Sequence, residues 1–392
     1  MMNRFTMLVG LPGSGKSTVA NELVNSVPDC KVFSSDLYRK IVCGDENDQS
    51  QNGLVFDTLY ADMIKHLEDG GNAIFDATNV TRKTRRKCLE RIKHIKCEKV
   101  ALIVPTFIDV CIERDAQRER TVGAEVIHKF ASTFEVPMTF EGFDAVSVYT
   151  QGTFKKYENM ATAVACKMIT FDQKNHHHLF TVGEHCNAVV EGVLELTPKI
   201  KGSSTALLIA AMWHDVGKLY TQSFDAEGEA HYYQHANYSA LWLLGEKDIM
   251  NSVDSTEDFL DTAFYVGEHM HIRDIIKSEK AIKKYQKLFG ETYFHNLMLL
   301  MECDNYGSKR LPRLTAKTLQ NISITDIDVY EGDYAKGIYI TWECPNVGFG
   351  EYKIYIKDGH LMADTECMDA PTLKLFTKAL MNKLIDDIEI MG

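Results

Sequence analysis

The stretch Gly10-Leu11-Pro12-Gly13-Ser14-Gly15-Lys16-Ser17 follows an apolar run from Phe5 to Val9 and precedes a helical pattern from Thr18. It satisfies the phosphate-loop pattern of two glycines with four residues between them, followed by Lys and Ser, in the strand, loop, helix context that the pattern requires. Glycines let backbone amides turn toward phosphates at a helix N-terminus. We therefore expect ATP or GTP to bind here, and a chance glycine-rich turn is the weaker interpretation. The predicted nucleotide-binding residues are Gly10, Gly13, Ser14, Gly15, Lys16, Ser17, Thr18 and Asp76, with Lys16 on the β and γ phosphates and Ser17 on Mg²⁺.

Further short apolar runs alternate with helical stretches up to about residue 150. The runs lie at 31–33, 73–75 and 100–104. Strands interleaved with helices predict a parallel sheet with helices on both faces. We predict an α/β domain over residues 1–150.

Candidate acceptor-site residues follow the second and third predicted strands. Asp36 and Arg39 stand just past the second strand, at the sheet edge where open α/β folds bind substrates. Asp36 can accept a proton from a hydroxyl group while Arg39 holds an anionic group. Asp36 can also cap a helix, and the two roles are compatible.

A basic segment follows the third strand, which ends at Asp76. Residues 82–99 hold nine Lys or Arg against two Glu, a sum of +7 in a chain of net charge −12. We predict that this segment contacts the phosphodiester backbone of RNA or DNA ends, although a solvated helix face is a common alternative. Arg114, Arg118 and Arg120 lie in a charged helix placed like a lid over the donor phosphates.

These motifs together resemble the 5′-hydroxyl polynucleotide kinase module of phage and bacterial end-healing enzymes. The resemblance rests on the phosphate loop, Asp36 with Arg39, the Asp76 to Asn79 strand end and the lid arginines, and it covers roughly residues 4–150. It implies Asp36 as general base, Arg39 as a contact to the acceptor phosphate, and Arg118 with Arg120 on the donor phosphates.

The middle of the chain has a different character. From about 154 to 309 the pattern is almost wholly helical, which predicts an all-α domain over residues 151–310. Strand-like stretches and a final helix from Pro371 to Ile388 then predict a small α+β appendix over residues 311–392, whose role the sequence leaves open.

Histidine is concentrated in this middle region. Nine of the 14 histidines fall between His176 and His271, which suggests metal chemistry. His214-Asp215-Val216-Gly217-Lys218 offers an adjacent nitrogen and carboxylate ligand. A lone histidine is more often a core or surface residue, so the combination carries the interpretation.

The combination resembles the HD superfamily of metal-dependent phosphohydrolases over about residues 175–310. The candidate metal ligands are His185, His214, Asp215, His235, His269 and Asp304. His269 is preferred to His271 because residues two apart on a helix face different ways. One or two divalent transition metals (Mn, Ni, Fe, Co or Zn) would clamp a phosphoryl group and activate water, with Asp215 as the bridge between two metals. Lys218 could neutralise the substrate phosphate, and His178 is a further candidate phosphate contact.

The composition indicates the setting for this chemistry. Residues 1–150 sum to −2, so the acidity lies mainly in the rest of the chain, which argues against a protein that coats polynucleotide. Ten cysteines in a chain that starts directly with a short strand are typical of reduced thiols in the cytoplasm. The longest apolar run is too short for a membrane span.

The two halves suggest one purpose. RNA cut by metal-independent nucleases ends in 5′-OH and 2′,3′-cyclic phosphate, whereas a ligase needs 5′-phosphate and 3′-OH. We therefore expect a bifunctional end-healing enzyme that acts before an RNA ligase: a kinase for 5′-OH ends and a hydrolase for 2′(3′)-phosphate or cyclic phosphate ends. A nucleoside or metabolite kinase fused to an HD nucleotidase, and a non-catalytic ATP-gated RNA-binding switch, are the alternatives.

Overall fold

The computed structural model describes residues 2–46, 48–150, 160–175 and 180–307, together with the backbone of four strands between 323 and 364. The described elements belong to two compact units: β1–β7 with all helices in one, and β8–β11 in the other. The strands are β1 Arg4–Val9, β2 Cys30–Ser34, β3 Asn72–Asp76, β4 Glu98–Ile103, β5 Ala145–Val148, β6 Gln222–Phe224, β7 Ala230–Tyr232, β8 Ser323–Gly332, β9 Ala335–Cys344, β10 Gly348–Lys357 and β11 His360–Asp364.

The helices that the structure describes begin at the phosphate loop and continue to residue 307. They are α1 Lys16–Ser26, α2 Ser35–Cys43, α3 Asn52–Glu68, α4 Arg82–Arg91, α5 Ile108–Ala116, α6 Ala124–Ala131, α7 Met160–Thr170, α8 Val182–Glu195, α9 Ser204–Trp213, α10 Lys218–Thr221, α11 His235–Leu244, α12 Lys247–Met250, α13 Thr256–Glu268, α14 His271–Ile275, α15 Glu279–Phe289 and α16 Glu291–Gly307.

The first five strands form one parallel sheet in the order β2-β3-β1-β4-β5. Alternate residues of β1 face opposite sides of the sheet, as the pleat requires. Phe5, Met7 and Val9 belong to the main core, whereas Leu8 packs with Val19 and Ile74 in a smaller core on the other face. The predicted parallel α/β sheet is confirmed.

The region from 160 to 307 is rich in helices, as predicted. The exception is a short antiparallel hairpin of β6 and β7, where Gln222 pairs with Tyr232. Its importance is positional, because β7 ends three residues before His235, the first residue of α11. No helix within the described ranges is both long and apolar enough to cross a membrane.

The α/β and helical parts share one continuous hydrophobic core. Direct polar contacts also join them: Asn237 Nδ2 donates to the Phe134 carbonyl at 2.7 Å, and the His128 Nδ1 and Tyr238 hydroxyl lie 2.9 Å apart. The predicted boundary at 150 stays a prediction.

The second unit contains an antiparallel sheet in the order β11-β10-β9-β8. These four strands overlap the strand-like stretches predicted from the sequence. The predicted final helix over 371–388 lies outside the described residues.

Candidate functional site

The phosphate loop joins the end of β1 to the start of α1, and its glycines are required by geometry. Gly13 has a φ of 81°, and a Cβ atom there would lie 2.4 Å from the Cys111 carbonyl oxygen. Neither the conformation nor the space suits a side chain. The Thr106 hydroxyl donates to the Ser14 carbonyl at 3.0 Å, and Gly10 N–H donates to the Thr78 carbonyl at 3.1 Å. Neighbouring segments of the sheet therefore fix the loop.

Lys16 and Ser17 occupy the first turn of α1, beside Asp76 at the end of β3. The Lys16 Nζ donates to the Leu11 carbonyl at 2.7 Å, and the Ser17 hydroxyl donates to Asp76 Oδ2 at 2.8 Å. Burial lowers the pKa of Lys16 to about 8, although Asp76 opposes the shift. Burial also raises the pKa of Asp76. A hydroxyl beside a carboxylate is a donor set that suits Mg²⁺.

A cleft of about 660 Å³ borders the loop. Its lining combines the loop with two arginines and an aromatic side chain: Gly13, Ser14, Gly15, Thr18, Val19, Glu22, Val104, Arg114, Arg118 and Tyr149. The cleft is large enough for a nucleotide. Arg114, a lid arginine to which the sequence assigned no separate role, has Nη1 3.4 Å from the Ser14 carbonyl. Helix α5 ends at Ala116, so the prediction of one charged helix is right for Arg114 and wrong for Arg118 and Arg120, which follow it.

Asp36 lies in the first turn of α2, and Ser34 is the N-cap of that helix. The Asp36 side chain is 56% exposed, and its Oδ1 lies 2.7 Å from Arg39 Nη1. Arg120 Nη1 lies 3.5 Å from the other oxygen of Asp36. The structure therefore separates Arg118 from Arg120: Arg118 lines the donor cleft with Arg114, and Arg120 lies beside Asp36.

The loop that carries these arginines is held by a residue that sequence reasoning missed. Asp115 is buried and accepts hydrogen bonds from Val122 N–H at 3.0 Å and Gly123 N–H at 2.9 Å. The composition of the lid does not single it out, because Glu113 and Glu119 are also acidic. Its contacts are to backbone groups, which a charge pattern does not reveal.

The basic segment 82–99 is not the uniform contact surface that was predicted. Arg85 is fully buried and pairs with Glu141 at 2.7 Å. Arg82 is also buried and pairs with Glu268 at 2.8 Å and Glu135 at 3.2 Å. These two arginines hold the fold together and are inaccessible to a polynucleotide, so the prediction is wrong for them.

The rest of this segment runs away from the phosphate loop. Helix α4 follows the carboxyl end of β3, and the segment ends at Lys99, near the start of β4. The phosphate loop follows β1 at the carboxyl ends of the parallel strands, so Lys99 lies at the opposite end of the sheet. Arg91 and Lys93 have acidic partners, Asp57 and Glu90. Summed charge along a sequence does not reveal which end of a strand the charge reaches.

The second candidate site gathers all six predicted metal ligands. His185 lies in the first turn of α8, His235 begins α11 and Asp304 lies on α16. His214 and His269 are the residues that follow α9 and α13, and Asp215 comes next to His214. All six are buried, with at most 7% exposure. Side chains from five helices therefore converge in the interior.

The two carboxylate oxygens of Asp215 face different ligands. Oδ2 lies 3.4 Å from His185 Nε2 and 3.5 Å from His214 Nε2. Oδ1 lies 3.1 Å from His235 Nε2 and 3.7 Å from His269 Nε2. This is the arrangement expected of a carboxylate that bridges two cations.

Asp304 completes the first side of the cluster. Its Oδ1 lies 3.1 Å from His185 Nε2 and 3.8 Å from His214 Nε2, and its other oxygen pairs with Arg273. His185, His214 and Asp304 have ligand atoms close enough for one ion, as do His214, Asp215 and His269.

The backbone fixes the tautomer of three histidines. The Nδ1 atoms of His214, His235 and His269 lie 2.7–2.8 Å from the carbonyls of Ala211, Tyr232 and Val266. A carbonyl only accepts, so each Nδ1 carries the proton and each neutral Nε2 presents a lone pair. His235 Nε2 and His269 Nε2 nevertheless lie 3.2 Å apart. Two lone pairs that face each other beside a carboxylate fit a bound cation.

The electrostatics favour neutral imidazoles at His214 and His269, whose pKa values are lowered by burial, whereas Asp304 and Asp215 raise the pKa of His185 against the effect of its burial. Burial lowers the pKa of His269 to about 3, with His214 and His235 adding to the effect. Burial opposes ionisation of Asp215, but Lys218 and His214 outweigh it and hold its pKa well below the usual range. Lys218 Nζ lies 2.7 Å from Asp215 Oδ2 and donates to Gln173 Oε1.

The remaining histidines of this region lie elsewhere. His271 Nδ1 lies 2.9 Å from Glu268 Oε2, and its side chain is half exposed. The structure places His269 within the cluster and His271 outside it, but the two do not share a helix as predicted, because α13 ends at Glu268 and α14 begins at His271. His178, the further candidate phosphate contact, lies outside the described residues.

Comparison with known proteins covers the α/β part best. Residues 5–137 match the family model of the AAA domain. This match agrees with the parallel sheet and the phosphate loop, which make the N-terminal part a P-loop α/β domain, and a helix-rich region follows it. The search of curated proteins found no match.

Several solved structures share part of the chain. The Pnkp1/Rnl/Hen1 RNA repair complex matches at 20% identity and a TM-score of 0.31, over 33% of this chain and 43% of that one. A fungal RNA kinase matches at 16% and 0.30, over 42% and 85%, and the Mycobacterium tuberculosis APS kinase CysC at 14% and 0.29, over 41% and 96%. The chain spans about two fifths of the length of the repair-complex proteins that it matches.

Proposed function

We propose that this chain is a bifunctional end-healing enzyme: an ATP-dependent kinase for 5′-OH ends of RNA or DNA in residues 1–150, and a metal-dependent phosphohydrolase for 2′(3′)-phosphate or cyclic phosphate ends in residues 151–310. The observation that carries the proposal is the pairing, in one compact unit, of a phosphate loop faced by a solvent-accessible Asp36 with a buried histidine and carboxylate cluster. The first arrangement suits transfer of a phosphoryl group to a hydroxyl, and the second suits its hydrolysis.

In the kinase step the 5′ oxygen attacks the γ phosphorus of ATP, the bond to the β-phosphate oxygen breaks, and the hydroxyl proton passes to Asp36. Arg39 and Arg120 flank this carboxylate and would hold the acceptor phosphate. Lys16, Arg114 and Arg118 would stabilise negative charge on the donor phosphates. Ser17 and Asp76 would hold Mg²⁺, which neutralises phosphate charge when bound.

In the hydrolase site, His185, His214, Asp215, His235, His269 and Asp304 would hold one or two of the transition metals Mn, Fe, Ni, Co or Zn. Such metals act as Lewis acids and lower the pKa of water when bound. Asp215 would orient the four imidazoles toward a shared centre, because one of its oxygens faces His185 and His214 and the other faces His235 and His269. Lys218, beside Asp215, would orient a phosphate toward the cluster.

The acceptor is a polynucleotide end in this proposal, and its product would serve an RNA ligase. The phosphate contacts nearest the reacting hydroxyl are Arg39 and Arg120, so end recognition depends on these two residues more than on segment 82–99. The cations of that segment that remain exposed would add a weaker, salt-sensitive attraction.

The proposal is tested with one oligonucleotide that carries a 5′-OH and a 2′,3′-cyclic phosphate. Asp36→Ala should abolish transfer of labelled γ-phosphate from ATP and spare loss of the terminal phosphate, and Asp215→Ala should do the reverse. Leu37→Ala, an exposed neighbour of Asp36, is the matched control and should retain both activities.

Loss of neither activity in either variant would overturn the assignment. Labelling of nucleosides but not of any oligonucleotide would favour a small-molecule kinase fused to a nucleotidase. Binding of ATP and RNA with no turnover of either terminus would instead favour the non-catalytic switch.

A further inference from the structure

A second cleft borders the histidine and carboxylate cluster at one residue. Its volume is about 580 Å³, and candidate ligand His235 forms part of its wall. One wall is the 132–136 segment that follows α6 in the α/β part, and the other comes from 232–237 and from 264–274 of the helical part. Both walls belong to the same compact unit.

The chemistry of this cleft differs from that of a phosphate site. None of the residues described in its lining is Lys or Arg, whereas Glu135, Glu268 and Asp274 contribute carboxylates. Glu268 is already paired with Arg82, and Glu135 accepts from the Arg82 backbone N–H at 2.7 Å. Asp274 is likewise paired, with Lys277 at 2.7 Å, so the described lining offers a row of phosphates no cation of its own. A neutral group with N–H and O–H donors would be accepted.

Tyr233 supplies an aromatic face at this cleft. It is 72% exposed, whereas the preceding Tyr232 is partly buried. Its ring is nearly parallel to that of His231, at 5.5 Å between centroids and 12° between planes. An aromatic ring that is held from one side and open on the other is a stacking platform for a planar group.

The turn that carries Tyr233 is conformationally costly. Gln234 has a φ of 60°, a left-handed conformation that residues other than glycine rarely adopt. The next residue is His235, whose Nδ1 donates to the Tyr232 carbonyl at 2.8 Å. The same turn therefore sets both the exposed ring and a candidate metal ligand, and such strain often marks a functional site.

We propose that this cleft is the nucleoside subsite of the hydrolase, in which Tyr233 stacks on the base of the terminal nucleotide while its phosphate reaches the histidine and carboxylate cluster. The inference deepens the proposed hydrolase function and rests on it. The volume suits one nucleoside, the carboxylates accept hydrogen bonds from ribose hydroxyls or base amines, and the lack of cations in the described lining disfavours further phosphates.

The subsite also depends on the α/β part. Asn237 donates to the Phe134 carbonyl at 2.7 Å, and Glu135 N–H donates to the Val80 carbonyl at 2.9 Å. The 132–136 segment is therefore held both to the helical part and to the rest of the α/β part. The α/β part would thus shape the substrate site of the hydrolase.

The first experiment compares two oligoribonucleotides with the same terminal cyclic phosphate, one with a base on the last ribose and one abasic there. Tyr233→Ala should lower kcat/KM about tenfold on the base-bearing end and less than about twofold on the abasic end, because stacking is lost only from the former. Tyr233→Phe should keep wild-type values. Phe224→Ala removes a 53% exposed aromatic side chain from β6, outside the lining of the cleft, and is the matched control.

An equal loss on both ends, or no loss on either, would overturn the subsite. If the wild type hydrolyses neither end, the proposed hydrolase fails, and a binding measurement decides the subsite separately. In a Lys16→Ala background with Mn²⁺, a nucleoside 3′-monophosphate should bind about tenfold more tightly than ribose 5-phosphate, and Tyr233→Ala should remove that difference. Equal binding of the two ligands when Tyr233 is present would reject the proposal.

Discussion

The phosphate loop and the histidine and carboxylate cluster solve the binding of charge in different ways. The loop uses consecutive residues and backbone geometry, with Gly13 seated against the Cys111 carbonyl. The cluster uses side chains from residues up to 119 positions apart, His185 and Asp304, set by five helices. A site built from consecutive residues should tolerate substitutions elsewhere in the chain but not an added side chain in the loop itself. A site built from converging helices depends on the packing of the whole unit.

The largest expected effect tests the backbone side of this comparison. Gly13→Ala adds a Cβ atom 2.4 Å from the Cys111 carbonyl oxygen at a positive φ, so the loop must move. We expect kinase activity to fall about 100-fold or more, since a few kcal/mol of misplaced contacts corresponds to that factor. End-labelling from ATP measures it.

Gly202→Ala is the control for conformation alone. Gly202 has a φ of 79°, but a Cβ atom added there would have nothing within 4 Å. The variant should lose only about 1 kcal/mol of stability and keep kinase activity. An equal loss of kinase activity in both variants would show that the close contact between position 13 and the Cys111 carbonyl does not matter.

The next largest effect tests the dependence of the histidine and carboxylate cluster on packing. Arg82 joins α4 to Glu268, which precedes His269, and its guanidinium lies 4.6 Å from the Phe289 ring centroid. Arg82→Ala leaves Glu268 buried with one strong partner fewer and should cost about 3–5 kcal/mol of unfolding free energy, measured by denaturant titration. We also expect hydrolase activity to fall more than kinase activity.

Lys83→Ala changes an exposed residue of the same helix and should alter stability by less than about 0.5 kcal/mol. Similar losses in the two variants would contradict the buried ion-pair role of Arg82.

Metal removal separates the two sites directly. Chelation of transition metals should lower the melting temperature, because a ligand at about 1,000 times its Kd adds about 4 kcal/mol to the native state. Addition of Mn²⁺ or Zn²⁺ should restore it in the wild type but much less in His235→Ala. His271→Ala, whose side chain contacts Glu268 outside the cluster, should respond like the wild type. A melting temperature that is indifferent to metal would reject the metal centre.

The smallest expected effect distinguishes the roles of Arg118 and Arg120. Arg118→Ala should raise the KM for ATP, since Arg118 lines the donor cleft, and Arg120→Ala should raise the KM for the 5′-OH oligonucleotide, since it lies beside Asp36. Each change should be about tenfold, from loss of one charge-assisted contact. Steady-state kinetics with each substrate varied would detect it, and an identical profile for both variants would contradict the division.

The sequence was most informative where chemistry follows chain order. The strand, loop and helix around Lys16 follow from local patterns, and the parallel α/β sheet follows from their repetition. The ligand set of His214 with Asp215 was visible because the two residues are adjacent, and the other ligands could be chosen only through the family resemblance.

Sequence reasoning was least informative about charge. Nine cations in residues 82–99 looked like one surface, yet Arg82 and Arg85 are buried against Glu268 and Glu141. These partners lie 186 and 56 residues away in sequence, so local composition could not reveal them. The contacts of Asp115 were hidden for another reason: its partners are nearby backbone groups, those of Val122 and Gly123, which leave no charge pattern.

The sequence by itself determined the phosphate loop and the succession of an α/β, a helix-rich and a strand-containing region, because local conformation depends on residues within one turn or one strand. Only the tertiary structure decided that Asp215 presents one oxygen to His185 and His214 and the other to His235 and His269. It also decided that Arg118 lines the donor cleft whereas Arg120 lies beside Asp36. The physical reason is that side-chain convergence is set by the packing of helices distant in sequence, which no local pattern encodes.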